Sequence, residues 1–284
     1  MKTEEVIKNK PRTTFQKITN GSKNNFSKKF LEKVVRGKKG KEKILMLTAY
    51  DYQMAKLLDE AGIDLILVGD SLGMVFQGKP DTKSVKMGDM LYHTRAVARG
   101  VKKTPIVGDM PINSYKTQEE ALKNAKKFIQ AGAFAVKLEG NQPKIIRALR
   151  KAKIPVMGHL GLLPQTAKNY RAKGRTREEA KKILEDAKEL EKLGVFSIVL
   201  ECIPESLAKK ITRALKIPTI GIGAGKHCDG QVLVINDLLG MQENFKPKHT
   251  KQYLNLSKKI KGAVTKFKEE VKTGIFPAEE HTFH

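Results

Sequence analysis

The chain has 284 residues, 40% of them apolar and 30% charged, with a formal net charge of +25, two cysteines and no tryptophan. That is enough sequence for one large core, and α/β barrels routinely use about 250 residues as a single domain. No run approaches the ~18 uncharged apolar residues of a membrane span. The first residues hold Glu4 and Glu5 and no apolar stretch, which argues against a secretory signal or an acid-poor transit peptide. Cys202 and Cys228 form neither a CxxC pair nor a disulfide framework. The expectation is a cytoplasmic protein with two reduced thiols. The positive charge is made mostly of lysine: only 10 of the 55 basic residues are Arg, and residues 1–43 alone carry 14 basic against 4 acidic side chains. Phosphate and base recognition favour the Arg fork. With 6% aromatic residues and no RRM, KH, helix-turn-helix or zinc-finger pattern, nucleic-acid binding is not expected as the main function. A polyanion-binding protein acting through a Lys-rich tail is the alternative outside enzymes.

Residues 1–26 are polar and rich in Lys, Asn and Thr, which predicts a disordered basic tail. Phe30, Leu31, Val34 and Val35 recur at helical spacing before Gly37, predicting a short basic helix that leads into a single domain over 27–284. From Lys43 onward, short β-branched runs alternate with longer segments of helical period: KILMLTAYD, IDLILVGD, PIVGD, AFAVKLEG, IPVMGHLG, VFSIVLE, IPTIGIG and QVLVIND. Apolar strands separated by helices or crossovers mean parallel βα units. Thr117 and Glu120 have capping-box spacing, Ala121, Leu122, Ala125, Phe128 and Ile129 form one stripe, and Gly132 stands at the expected stop. Residues 177–193 repeat that pattern, and 253–273 read as a last amphipathic helix packing outside the barrel. Eight such units after residue 40 fit a (β/α)8 TIM barrel better than a doubly wound sheet.

In parallel α/β folds the carboxyl ends of the strands carry the site. Here those ends read Asp51, Asp70, Asp109, Glu139, His159 and Glu201. In a closed barrel these side chains converge on one rim, where several carboxylates cannot all stay ionised near neutral pH without a compensating cation. Oxygen donors without Cys or paired His ligands point to a hard ion, Mg2+ first, held by Asp70, Asp109 and Glu139. Capping of the following helices is the competing role for any single one of these acids. Lys137 stands two residues before Glu139, so both point to the same face. Three roles stay open for it: pairing with the anionic end of a substrate, extending out of the barrel end, or Schiff-base nucleophile. His159 reads as a general acid, an orienter of a ligand or a core histidine, with a role in the site preferred. GIGAGK (221–226) matches no phosphate-loop pattern, so close backbone packing is expected there before an anion contact. Cys202, without a His neighbour in sequence, is expected to be filler and not a nucleophile.

Taken in order, TAYDY (48–52), LVGDSLGM (67–74), YHTRAV (92–97), VKLEG (136–140), GHLGLLPQ (158–165), LECIP (200–204), IPTIGIGAG (217–225), DGQVLV (229–234) and FPAEEHTFH (276–284) resemble the blocks of the ketopantoate hydroxymethyltransferase (3-methyl-2-oxobutanoate hydroxymethyltransferase) family. Nine blocks in collinear order are more specific than any one of them, and residues 1–26 lie outside the resemblance. The resemblance implies a Mg2+-dependent (β/α)8 barrel of the phosphoenolpyruvate/pyruvate type that forms a large homo-oligomer, often a decamer. It implies transfer of a one-carbon unit from 5,10-methylenetetrahydrofolate to 3-methyl-2-oxobutanoate, giving 2-dehydropantoate and tetrahydrofolate on the way to pantothenate. It further implies Asp70, Asp109 and Glu139 as Mg2+ ligands, Ser71 and Lys137 with Asp70 and Asp109 at the keto acid, and Glu201 as proton acceptor.

The chain departs from the family pattern at Met110 and Ile112, where Leu-Pro-Phe is common, and over 82–86, which reads Thr-Lys-Ser-Val-Lys in place of Thr-Leu-Pro-Val-Thr. Asn141 replaces a second Gly, and 169–175 lack the usual Gly-Gly before Tyr. The metal and base positions are intact, so the departures fall on the substrate side-chain and folate pockets. The alternatives among enzymes are a paralogue with a related 2-oxo acid substrate and a folate-independent Mg2+-dependent lyase or aldolase.

Overall fold

The computed structural model describes residues 35–242 and 247–284; the tail expected over 1–26 and most of the helix expected before Gly37 lie outside the described residues. Eight strands close into one barrel in chain order: β1 (Ile44–Thr48), β2 (Leu65–Val68), β3 (Ile106–Asp109), β4 (Ala135–Glu139), β5 (Val156–Gly161), β6 (Ser197–Glu201), β7 (Thr219–Ile222) and β8 (Gly230–Leu233). The strands pair in parallel, and each lies in one of the apolar runs of the sequence, so the (β/α)8 expectation holds. The crossovers contain α1 (Tyr52–Glu60), α2 (Leu72–Val75), α3 (Met87–Gly100), α4 (Gln118–Gln130), α5 (Pro143–Lys151), α6 (Arg177–Lys192) and α7 (Glu205–Ala214). By contact the chain divides into two compact units, one ending at Val232 and one covering Leu233–His284.

Local chemistry fixes where the crossovers begin. Asp51 accepts from the Met54 N–H at 2.8 Å, Thr117 from Glu120 at 3.2 Å and Thr176 from Glu179 at 3.2 Å, each cap contributing about 1 kcal/mol. Asp51, read among the strand-end acids, is therefore the N-cap of α1. Glu120 completes its capping motif one residue early, accepting from the Lys116 N–H at 3.1 Å. The Asp59 carboxylate, in α1, accepts from the N–H groups of Lys102 and Lys103 at 3.1 Å and Thr104 at 2.7 Å, fixing the approach of the chain to β3. Gly108 lets α4 close onto β3, because a Cβ at that position would overlap the buried Phe128 ring.

The barrel core takes alternate strand residues: Ile44 and Met46, Leu65 and Leu67, then Val107, Ala135, Met157, Val199, Ile220 and Val232. Burying such side chains contributes about 1.5–3 kcal/mol each. The same two-residue period, continued toward the carboxyl ends, passes from Val107 to Asp109, from Ala135 to Lys137 and Glu139, from Met157 to His159 and from Val199 to Glu201. Strand register then sets Asp109 opposite Lys137 and Glu139 opposite His159. His159 is the fourth residue of the six in β5, not its last, because β5 runs on to Gly161.

In the second unit α8 (Ile235–Leu239) ends at Gly240, whose φ of 65° is left-handed. Next comes α9 (Leu256–Lys272), the helix expected over 253–273, capped by Asn255 accepting from the Lys258 N–H at 3.0 Å. Its apolar stripe of Ile260, Val264, Phe267 and Val271 is exposed.

Candidate active site at the carboxyl end of the barrel

Asp109, at the end of β3, holds Lys137 from β4 with both carboxylate oxygens, each 2.7 Å from Nζ. Lys137 is only 4% exposed. Burial opposes its charge, but Asp109, Asp70 and Glu139 outweigh that and hold the ammonium firmly protonated. A lysine in this state does not extend out of the barrel end and is a poor Schiff-base nucleophile, so charge pairing is the role the geometry keeps. Asp70, two residues past β2, receives a hydrogen bond from Gln165 Nε2 at 2.9 Å. Its carboxyl is pushed well above the usual range, first by burial and then by the charges of Asp109 and Glu139, with Lys137 offsetting part of this.

Glu139 ends β4; its Oε2 accepts from the Gln165 N–H at 3.2 Å, while its buried Oε1 has no hydrogen-bond partner. His159, 1% exposed, lies with Nδ1 3.5 Å from Glu139 Oε1 and Nε2 3.1 Å from Glu201 Oε2. Neither ring nitrogen makes a hydrogen bond of good geometry, so the contacts are those of an ion pair. Burial and Lys137 oppose protonation of the ring, yet the two glutamates raise it to a pKa of about 9, which makes it an imidazolium at neutral pH. The Glu201 side chain is 18% exposed, against 3% for Asp109 and Glu139. Glu201 is thus the acid of this group that opens most toward solvent. Gly161 makes room for it: with φ of 100° and no Cβ to overlap the Glu201 carbonyl, it lets the Leu162 N–H reach that carbonyl at 2.8 Å.

Ser71, in the turn between β2 and α2, shares a hydrogen bond of 2.9 Å with the hydroxyl of Tyr50. Gln165 had no role assigned from sequence, although it closes the GHLGLLPQ block. Its Nε2 donates to Asp70 Oδ2 and the Met110 carbonyl, both at 2.9 Å, and its Oε1 accepts from the Tyr115 hydroxyl at 2.7 Å. One amide therefore braces Asp70 and, through its backbone N–H, Glu139. GIGAGK follows the packing reading: a Cβ on Gly225 would overlap the Glu205 side chain, and the Lys226 N–H faces Glu205 Oε1 at 3.4 Å, which leaves an acid where an anion would have to sit. Cys202 is held by burial and Glu201 at a pKa of about 11, so its thiol is not activated.

Asp70, Asp109, Lys137, Glu139, His159 and Glu201 are thus brought together, with Ser71 beside Asp70; Asp51 is not part of the group. The donor set fits a hard divalent cation. All three expected ligands are carboxylates, the buried Glu139 Oε1 accepts no hydrogen bond, and Asp70 is destabilised as an anion by its neighbours. Among the described residues no three such side chains already enclose a single point, since Asp109 is turned onto Lys137.

The chain matches the family model described as ketopantoate hydroxymethyltransferase over residues 28–279. It is 53% identical to a 3-methyl-2-oxobutanoate hydroxymethyltransferase of Syntrophus aciditrophicus over 90% of this chain and 97% of that one. It is 55% identical to a protein of the same name from Clostridium botulinum over 85% and 90% of the two chains. Among solved structures, a phosphonopyruvate hydrolase superposes with a TM-score of 0.60 at 15% identity, covering 91% of this chain and 92% of that one. A 2,3-dimethylmalate lyase of the PEP mutase/isocitrate lyase superfamily gives 0.57 at 12% identity, covering 89% and 92%; at such identities the likeness concerns the barrel alone. The match over nearly the whole barrel, together with relatives sharing more than half of their residues with it, shows that this chain belongs to the ketopantoate hydroxymethyltransferase family.

Proposed function

We infer that the protein transfers a hydroxymethyl group from 5,10-methylenetetrahydrofolate to 3-methyl-2-oxobutanoate, giving 2-dehydropantoate and tetrahydrofolate in pantothenate synthesis. The observation that carries this reading is the buried group of Asp70, Asp109, Lys137 and Glu139 at the carboxyl end of a barrel of this family. Asp70, Asp109 and Glu139 are the residues to hold Mg2+. When bound, that ion supplies Lewis acidity toward the oxygens of a 2-oxo acid, a contribution of several kcal/mol to charge stabilisation.

The protein's own groups supply the remainder. Lys137, firmly cationic, stabilises negative charge on the keto acid, and the paired hydroxyls of Ser71 and Tyr50 offer hydrogen bonds to its carboxylate. Glu201 takes the C3 proton, and the electron pair left on C3 forms the new bond to the methylene carbon of the folate. Both bonds from that carbon to N5 and N10 of the folate break, one water supplies the hydroxyl oxygen, and the C3 proton and one proton of the water end on the two folate nitrogens. His159, 3.1 Å from Glu201, orients the base. A positioned general base contributes about 10^2 to 10^4-fold. The homo-oligomer, often a decamer, belongs to the same reading; the exposed stripe of α9 supports association. So does a cytoplasmic location, with no described helix long and apolar enough to cross a membrane.

A panel of 2-oxo acids, with and without Mg2+ and methylenetetrahydrofolate, tests the assignment. Turnover of 3-methyl-2-oxobutanoate is expected only with both. In D2O without folate, NMR should show Mg2+-dependent exchange of the C3 proton, slowed at least about 10^2-fold in Glu201→Gln. Turnover without folate would assign a lyase or aldolase, and preference for another 2-oxo acid a paralogue. Unchanged exchange with lost transfer would move Glu201 to the folate half of the reaction.

A further inference from the structure

A cavity of about 380 Å3 is lined by none of the clustered acids and takes no part in the chemistry above. One wall is the 83–87 segment between α2 and α3, the opposite wall is 111–114 just past β3, and the first turns of α4 close the third side. All three follow the carboxyl ends of β2 and β3, so the cavity opens on the same face of the barrel as Asp70 and Asp109. The 111–114 wall begins two residues after Asp109. Lys83, on the other wall, donates from Nζ to the Ala167 carbonyl at 3.1 Å, two residues past Gln165, which ties the cavity rim to the loop that braces the cluster.

The lining is polar and carries an excess of positive charge. Lys83 and Lys86 both contribute to it; Lys83 Nζ also lies 4.0 Å from Asp81 Oδ2, and the one acid in the lining, Glu120, is engaged at the start of α4 with the Lys116 N–H. Ser114 lines it too: the residue is 4% exposed, and its hydroxyl has no hydrogen-bond partner. Asn124 fixes the wall by donating to the Ser114 carbonyl at 2.8 Å and leaves that hydroxyl as an available donor. Two ammonium groups and a buried unpaired hydroxyl suit carboxylates. The keto acid cannot be the source, because its short chain is accounted for at Lys137 and Ser71. A folate, in contrast, ends in a glutamyl tail whose carboxylates lie far from the reacting methylene and must leave the cluster along the rim.

We propose that this cavity receives the carboxylates of the glutamyl tail of the folate co-substrate, with Lys83 and Lys86 as their counter-ions and Ser114 as a hydrogen-bond donor. The proposal rests on the transferase reading above. It makes Lys83 and Lys86 specificity-determining residues for the donor, remote from the bonds that change.

The test compares the Mg2+-loaded enzyme on methylenetetrahydropteroate, which lacks the tail, with its monoglutamyl and triglutamyl forms. In the wild type kcat/KM should rise with the tail, on the order of tenfold from pteroate to triglutamate, through KM and not kcat. In Lys83→Gln/Lys86→Gln that ratio should fall to near one. Lys86→Gln alone, which leaves the Lys83 contact to Ala167 in place, should remove part of it, and Lys86→Glu more. Free triglutamate peptide should compete with the folate and not with the keto acid. A ratio near one in the wild type, or an unchanged ratio in the double variant, overturns the proposal, as does activation by free glutarate, which would mark an effector site. Failure to turn over any folate form, with C3 exchange retained, removes the transferase reading itself and this proposal with it; equal turnover with and without the tail removes the proposal alone.

Discussion

Replacing Gln165 by Leu removes one amide from the centre of the site and strands three groups. Asp70 Oδ2 and the Met110 carbonyl each lose a donor at 2.9 Å, and the Tyr115 hydroxyl loses its acceptor at 2.7 Å. Each buried group left unsatisfied costs about 1–3 kcal/mol, and relaxation or an entering water recovers part of it. A net loss of about 3 kcal/mol is expected, which lowers Tm by roughly 6–12 °C in a domain of this size. A second effect is specific to the site. The Gln165 side chain braces Asp70, while its backbone N–H to Glu139 survives the substitution, and loss of such a support around a proposed metal ligand typically weakens metal affinity by about 10–100-fold. The assay is the Mg2+ dependence of turnover, paired with melting curves at several Mg2+ concentrations. Half-saturation by Mg2+ should shift upward, and excess Mg2+ should recover much of the activity. Tyr115→Phe removes only the hydroxyl that orients the amide and should give the same shift in smaller form. The double variant should be less than additive, because the two side chains act through one hydrogen bond. A Gln165→Leu protein that melts within 1 °C of wild type, with unshifted Mg2+ dependence, would refute the bracing role.

Gly161→Ala would place a Cβ over the Glu201 carbonyl at a φ of 100°. It is expected to cost about 2 kcal/mol or more and lower kcat/KM at least about tenfold, read by melting and turnover together. Asp59 is buried, which alone would raise its pKa; the N–H groups of Thr104, Lys102 and Lys103, with the Thr104 side chain, overcome this and depress it. Its contribution to stability is therefore present above the unfolded value near 3.9 and is lost as pH falls through the lower folded value. Denaturant titrations of Asp59→Asn should show a deficit of about 1–2 kcal/mol at pH 7 that shrinks on acidification below about pH 4. Deletion of residues 1–26, which precede the family match, should leave kcat/KM within about twofold.

The strands and the acids that follow them were legible because parallel barrel strands are apolar on both faces, so a carboxylate at the end of such a run stands out. The two-residue period also placed Lys137 and Glu139 on one face, and Lys137 indeed meets Asp109 of the neighbouring strand β3. Asp51 looked the same as Asp70 in one dimension; only the Met54 N–H at 2.8 Å separates a cap from a member of the site. His159 was read as the end of β5, whereas the strand runs two residues on to Gly161, a point of close approach to the Glu201 carbonyl of β6. Gln165 was not legible. It is a neutral amide in a loop, and Asp70, 95 residues earlier, and Met110, 55 residues earlier, reach it only once the barrel has closed.

Charge balance supports the Mg2+ proposed above at this rim, where two basic side chains are already built in. Asp70, Asp109, Glu139 and Glu201 bring four carboxylates, while Lys137 and the His159 imidazolium bring two cations. With Asp70 ionised beside the proposed cation, the shortfall of two charges equals that of one divalent ion. Its position is not uniform. Lys137 is spent on Asp109, and His159 lies between Glu139 and Glu201. The uncompensated negative potential therefore concentrates at Asp70, where burial and the neighbouring acids already oppose ionisation. Neutralising Lys137 would deepen the shortfall and leave Asp109 buried without its counter-charge, a loss of about 3–5 kcal/mol for a broken buried pair. Exposed charges are screened within about 10 Å at ordinary ionic strength, so in a protein of net charge +25 the interactions that set the state of these acids are those within the barrel mouth.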